Sequence, residues 1–151
     1  MIAVDTNILI YAHRNRFSQH AQALAWLKHL AEGNLPWAIP VFCLGEFVRV
    51  VTHPRILEPP STLNEAFTAL AGLLRSPTLR ILSPGPRFPE LFRQMTEAAD
   101  ARGNLAFDAQ IAALCQEQGV AKLLTADRDF SRFPDLEVFS VETPLPGSRG
   151  R

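Results

Sequence analysis

The stretch Met1-Ile2-Ala3-Val4-Asp5-Thr6-Asn7 decides the fold. Ile2, Ala3 and Val4 form a short unbroken apolar run, the pattern of a strand buried on both faces in a parallel sheet. The run stops at Asp5, and Ile8, Leu9, Ile10 and Tyr11 begin a helical pattern at once. Open α/β sheets hold their ligands at the carboxyl ends of their strands, which is where Asp5 stands. A lone Asp after a strand is more often only a helix cap. The weight therefore falls on what the rest of the chain places beside it.

Outward from this stretch, strands and helices alternate. Residues 13–18 are polar and basic and read as a loop. Residues 21–31 carry Leu24, Leu27, Leu30 and Ala31 at helical spacing, and Gly33-Asn34 stops them. Trp37-Ala38-Ile39 is a strand closed by Pro40. Residues 41–52 (VFCLGEFVRVVT) form an apolar helix bounded by Pro54. Thr62-Leu63-Asn64-Glu65 matches a capping box and opens a helix through Leu74. Residues 79–82 form the third strand. A helix over 89–102 ends at Gly103, and Asn104 caps a helix over 106–118 that ends at Gly119. Residues 122–125 and 137–140 are the last two strands, with an Asp-rich turn between them.

This order predicts an α/β sandwich of three layers. A mostly parallel sheet of about five strands lies between helices on both faces, joined by right-handed crossovers. No repeat or linker divides the chain, so a single domain over 1–143 is expected. The Pro-, Gly-, Ser- and Arg-bearing tail over 144–151 reads as disordered.

An apolar fraction of 47% in 151 residues supports one full core. Lys plus Arg and Asp plus Glu both total 15, so net charge argues neither for nor against nucleic acid. Nearly all the basic residues are Arg, which suits bidentate phosphate contacts. Cys43 and Cys115 fall inside apolar helical patterns and read as buried small hydrophobes, not as a disulfide or a zinc site. There is no leader-like segment before the first strand and no apolar run long enough to span a bilayer. A reducing cytoplasm is the expected compartment.

Four acids stand where a core element would not choose them. Asp5 ends the first strand. Glu46 lies among Phe42, Leu44, Phe47, Val48, Val50 and Val51, company in which a bare carboxylate costs several kcal/mol unless paired or bound to a metal. Asp108 sits near a helix start and shares a face with Ile111, Ala112 and Cys115. Asp127 lies just past the fourth strand. Each has an ordinary explanation: an ion pair of Glu46 with Arg49, the helix dipole for Asp108, turn capping for Asp127 and Asp129. Together, two strand-end acids and two helix acids can converge on one cleft at the carboxyl edge of the sheet. Clustered carboxylates repel and their pKa values climb, a penalty that a hard divalent cation removes. Oxygen ligands without His or Cys select Mg²⁺ or Mn²⁺ over zinc, and such a site suits metal-assisted phosphodiester hydrolysis.

These residues resemble a PIN domain. Val4-Asp5-Thr6-Asn7-Ile8-Leu9 looks like its opening. Glu46 followed by Phe47 and Arg49 comes next in order. Asp108 with Ala109, Ile111 and Ala112, and then Thr125-Ala126-Asp127-Arg128-Asp129-Phe130, complete the pattern. The resemblance covers the chain from Met1 to about Val141. Small PIN proteins of this kind are similar to VapC toxins of bacterial toxin–antitoxin pairs. The resemblance implies a Mg²⁺-dependent ribonuclease (Mn²⁺ substituting) that cuts RNA, often tRNA or rRNA. It also implies a homodimer, restrained by a VapB-type antitoxin. By position, Asp5, Asp108 and Asp127 would be metal ligands, and Glu46 would position a water at the ion or hold a second ion. Thr6, Asn7 and Thr125 would orient carboxylates and water. Asp129 competes with Asp127, which is preferred for its closeness to the strand end.

His13, Arg14 and Arg16 follow the first acid, and Arg49, Arg55, Arg128 and Arg132 lie near the others. Of these, Arg14, Arg16, Arg49 and Arg128 are the candidate RNA-phosphate contacts. Trp26, Trp37 and Phe67 are core by default, or line a groove for an antitoxin helix. The alternative function is a catalytically inactive PIN-like domain that binds RNA or a partner. Four intact acids argue against it. An aspartyl-nucleophile phosphatase or dehalogenase would want an acid where Asn7 stands. A receiver domain would want a paired acid near the first strand and a late Lys, and neither is clear.

Overall fold

β1 (Ile2–Val4) is the middle strand of a five-stranded sheet in the computed structural model, which describes residues 1–147. β2 (Trp37–Pro40) and β4 (Lys122–Leu124) flank it, with Ala3 opposite both Ala38 and Leu123. β3 (Leu79–Leu82) lies outside β2, and β5 (Glu137–Phe139) outside β4. Every pairing is parallel, as the unbroken apolar run of β1 predicts for strands covered on both faces. Ala3, Val4, Trp37, Ala38, Leu123 and Leu124 have no exposed surface.

The strand order β3-β2-β1-β4-β5 reverses direction at β1. Connections run one way from β1 to β2 and β3, and the other way to β4 and β5. A sheet of this kind opens a crevice where the order reverses, outside the carboxyl ends of the two strands concerned. Here those ends are Asp5 and Thr125. The Asp5 amide donates to the Leu124 carbonyl at 3.0 Å, so the two strand ends are tied level.

Helices cover both faces. α1 (Thr6–His13) packs on α2 (His20–Glu32) and on α3 (Val41–Val51), and α3 packs on α4 (Leu63–Leu74). α5 (Phe88–Ala98) and α6 (Leu105–Glu117) form a separate pair, with α6 against β2. α6 is apolar nearly all round, and Ala109 and the run from Ile111 to Cys115 are buried. Trp26 and Trp37 are core residues, and both cysteines are buried and free. Among the described residues, no helix is long and apolar enough to cross a membrane.

Three local expectations change. α5 stops at Ala98, short of the expected 102, because Asp100 adopts a left-handed conformation at φ 47°. The Ala101 amide then donates to the Thr96 carbonyl at 2.9 Å and the Asp100 amide to Glu97, the closure usually made by a glycine. Asp tolerates that conformation better than most residues. Asn104 does precede α6, but its side chain makes no capping bond. A tight turn satisfies the first amides instead, with Leu105 donating to Arg102 and Ala106 to Gly103. Phe67 is not core: it is exposed on α4 with Leu63 and Leu74. The Thr62 cap is made as expected, its hydroxyl accepting from the Glu65 amide at 3.1 Å. Of the tail over 144–151, Leu145 packs partly buried against the core, and residues 148–151 lie outside the described residues.

Candidate active site

Asp5 is both a cap and something more. Its Oδ1 accepts from the Thr6 amide at 2.7 Å, the ordinary start of α1. Its Oδ2 accepts from the Thr125 hydroxyl at 2.7 Å and from Asn7 Nδ2 at 3.1 Å. Asn7 also donates to the Thr125 hydroxyl, and its Oδ1 accepts from the Ala126 amide at 3.1 Å. The Asp127 amide donates to the Thr125 hydroxyl at 3.0 Å. Thr6, Asn7 and Thr125 thus form one network that holds the ends of β1 and β4 together and fixes the Asp5 carboxylate. With 6% of its surface exposed, Asp5 is the innermost acid.

Past β4, the Asp127 carboxylate accepts from the Asp129 amide at 2.9 Å and starts a short 3-10 helix (Arg128–Arg132). This helix carries Asp129 and Asp127 up to Asp108 in the first turn of α6. Carboxylate oxygens of Asp108, Asp127 and Asp129 lie within 4.8 Å of one another. Asp129 also faces Arg132 at 3.8 Å, both half-exposed. The sequence leaves Asp127 and Asp129 as rivals, yet the structure places both beside Asp108.

Glu46 sits differently from the expectation. α3 buries Cys43, Phe47 and Val51, one face at four-residue spacing. Gly45, Glu46 and Arg49 fall on the opposite, exposed face. The carboxylate therefore pays no burial penalty, and its place near the acids is set by the Thr6 hydroxyl, which donates to its Oε2 at 3.3 Å. No ion pair between Glu46 and Arg49 forms among the described residues.

Burial, with neighbouring negative charge, raises the pKa values of Asp5 and Asp108. Burial pushes the Asp5 carboxyl up to about 6. The Thr125 and Thr6 hydrogen bonds pull it down, and the Glu46 and Asp127 charges push it further up. Burial lifts Asp108 to about 7, with the charges of Asp127, Asp5, Asp129 and Glu46 adding in that order. All four of the other acids act on Asp108, so the five share one field. Such a field disfavours full ionisation unless a cation enters. All the donors are oxygens of the kind that Mg²⁺ and Mn²⁺ take. The donor set fits a hard divalent cation.

Above the acids lies an open cleft of about 1090 Å³, lined by Glu46, Asp108, Asp127 and Asp129. Arg49 lines it, as one phosphate-contact candidate should. Arg128 is exposed beside it without lining it. Arg14 is elsewhere, donating to the Pro59 carbonyl at 2.8 Å and the Ser61 hydroxyl at 3.3 Å in a second groove. Arg16 is exposed over the Phe17 ring, away from the cleft. The sequence reading passed over Arg102, Asn104, Phe107 and Gln110, which also line the cleft. The one available signal was an aromatic residue directly before a site acid.

A PIN domain sequence profile matches residues 2–136. Ribonuclease VapC43 of Mycobacterium tuberculosis is 40% identical over 133 residues, 88% of this chain and 90% of its own. Ribonuclease VapC31 of the same species is 35% identical over 145 residues, 96% of this chain and all of its own. Among solved structures, VapBC2 of Rickettsia felis bound to a promoter DNA fragment superposes with a TM-score of 0.68. It is 22% identical and covers 93% of this chain and 98% of that one. VapC20 of M. tuberculosis, described as a sarcin-ricin loop cleaving toxin, gives 0.65 at 20% identity, covering 91% and 99%.

Proposed function

We infer, for a chain that belongs to the PIN domain family and within it to the VapC-type ribonucleases, a divalent-metal-dependent endoribonuclease acting as the toxin of a toxin–antitoxin pair. The observation that carries the metal-dependent reading is the meeting of Asp108, Asp127 and Asp129 within 4.8 Å, above Asp5 at the sheet's switch point. Asp5, Asp108 and Asp127 would hold Mg²⁺, or Mn²⁺ in its place, with Asp129 beside them. The chemistry supplied there by a bound ion would be Lewis-acid polarisation of the scissile phosphate and stabilisation of the leaving oxygen's charge.

The chain's own residues do the rest. Glu46, exposed on the cleft wall and held by Thr6, accepts the proton of the attacking water. Thr125 and Asn7 aim Asp5 by donating to its Oδ2, and the Thr125 bond favours its ionised form. Arg49 takes a phosphate along the cleft and offsets the acids' repulsion of RNA. RNA, tRNA or rRNA in particular, is the substrate. A VapB-type antitoxin and a second copy of the chain are the protein partners. Leu63, Phe67 and Leu74 on α4 offer exposed apolar surface for a protein contact.

The test is cleavage of total RNA by purified, antitoxin-free protein. Cutting should need Mg²⁺ or Mn²⁺ and stop in EDTA, and Asp5→Asn should abolish both cutting and growth arrest on expression while the fold survives. Undiminished cleavage in EDTA would remove the metal mechanism, and arrest by Asp5→Asn would move the toxicity from hydrolysis to binding.

A further inference from the structure

We propose that the Phe107 ring is a stacking platform for an unpaired RNA base beside the acidic centre, an inference that rests on the ribonuclease reading above. Phe107 is 64% exposed although most apolar side chains of its helix, Ala109 and the run from Ile111 to Cys115, are buried. Of the large apolar side chains exposed among the described residues, it alone lines the cleft. It makes no ring contact with another aromatic among those residues and does not pack against the core. Phe107 and Asp108 line the same cleft, so a base on the ring lies beside the acidic centre.

The backbone that presents the ring is fixed. Ala109 and Ile111, just beyond it on α6, are buried and anchor the turn that presents it. Arg49 and Arg102, the latter paired with Asp100 at 2.9 Å, line the same cleft and bring cationic groups within it to an RNA backbone. Aromatic rings between guanidinium groups bind single strands through π-faces and phosphates together, with little sequence preference. A base inside a duplex has no free face and cannot use the ring. The inference is thus about strandedness: Phe107 selects RNA that can splay a base out at the cut.

Binding in an Asp5→Asn background, which leaves RNA intact, tests this without turnover. The probes are a mixed-sequence single-stranded RNA and the fully paired duplex of the same sequence. Phe107→Ala should weaken single-strand binding by roughly 5- to 150-fold, the range for one stacked base, and leave duplex binding unchanged. Phe107→Trp should restore it, and its new indole fluorescence should be quenched by the single strand. Equal losses on both probes, or no loss on either, would overturn the platform. A change in oligomeric state by light scattering with RNA affinity intact would assign Phe107 to a protein interface instead. A parent protein that neither binds nor cuts any RNA would sink the ribonuclease reading and this inference with it.

Discussion

The Thr125 hydroxyl donates a 2.7 Å hydrogen bond to Oδ2 of Asp5 across 120 positions of sequence. That bond joins the carboxyl ends of β1 and β4, the two strands between which the sheet reverses its order. It acts against burial, the larger influence on Asp5, and keeps the carboxyl from rising beyond about 6. The same contact therefore levels two strands and tunes the innermost acid of the group.

The first prediction concerns metal-free stability. Asp5 rises from 3.8 to about 6 and Asp108 from 3.8 to about 7, so the folded chain favours the neutral acids. Stability from these shifts is complete below about pH 4, falls as pH rises through 6 and 7, and is gone above. For buried Asp5 a rise of about two units corresponds to roughly 3 kcal/mol. Half-exposed Asp108 adds less. Thermal melts in EDTA should show a Tm that drops between about pH 4 and 8. Asp5→Asn should flatten much of that drop, and excess Mg²⁺ at neutral pH should raise the Tm of the parent chain. A Tm in EDTA that climbs steadily over this range would contradict the shared acidic field.

The second prediction separates Asp127 from Asp129. Asp127 acts on both Asp5 and Asp108, and it outranks Asp129 in its effect on Asp108. Asp129 does not figure among the charges that shift Asp5, and it divides its carboxylate with Arg132. Asp127→Asn keeps an oxygen to cap the 3-10 helix and removes only charge. It should abolish cleavage and lower Mn²⁺ affinity in calorimetry by roughly 10- to 100-fold. Asp129→Asn should cost less on both counts. The reverse order would make Asp129 the ligand and Asp127 a structural cap.

The main elements were legible because their signals are local. An unbroken Ile2–Val4 run, the Pro40 and Pro54 boundaries and the Thr62 cap each act within a turn or a strand. The acids were legible as strand-end and helix-start oddities. Glu46 was found for a partly wrong reason: its apolar neighbours suggested burial, yet the four-residue spacing of Cys43, Phe47 and Val51 turns it outward. Choosing between Asp127 and Asp129 needed the path of the turn after β4, which the TxDxDF pattern does not encode. Arg102, Asn104 and Gln110 joined the cleft only because α5 ends early at Ala98, before the left-handed Asp100, and α6 brings its first turns to the crevice. The Arg candidates failed to sort themselves for the same reason, since proximity in sequence to an acid does not give the direction of a long side chain.

The last prediction sorts those arginines. Arg49 lies on the cleft wall with no ion-pair partner among the described residues, so its guanidinium is available to a phosphate. Arg14 is occupied, tying the end of α1 to Pro59 and to the buried Ser61 hydroxyl. Arg49→Ala should leave the unfolding free energy within about 0.5 kcal/mol of the parent. It should weaken single-stranded RNA binding and reduce the slope of log affinity against log salt by about 0.7. Arg14→Ala should do the opposite: a stability loss of about 1–2 kcal/mol from two hydrogen bonds, read by urea unfolding, with the salt slope unchanged. If the two variants exchanged these behaviours, RNA would have to run over the groove between α1 and α4, away from the acids, and hydrolysis at Asp108 would lose its substrate path.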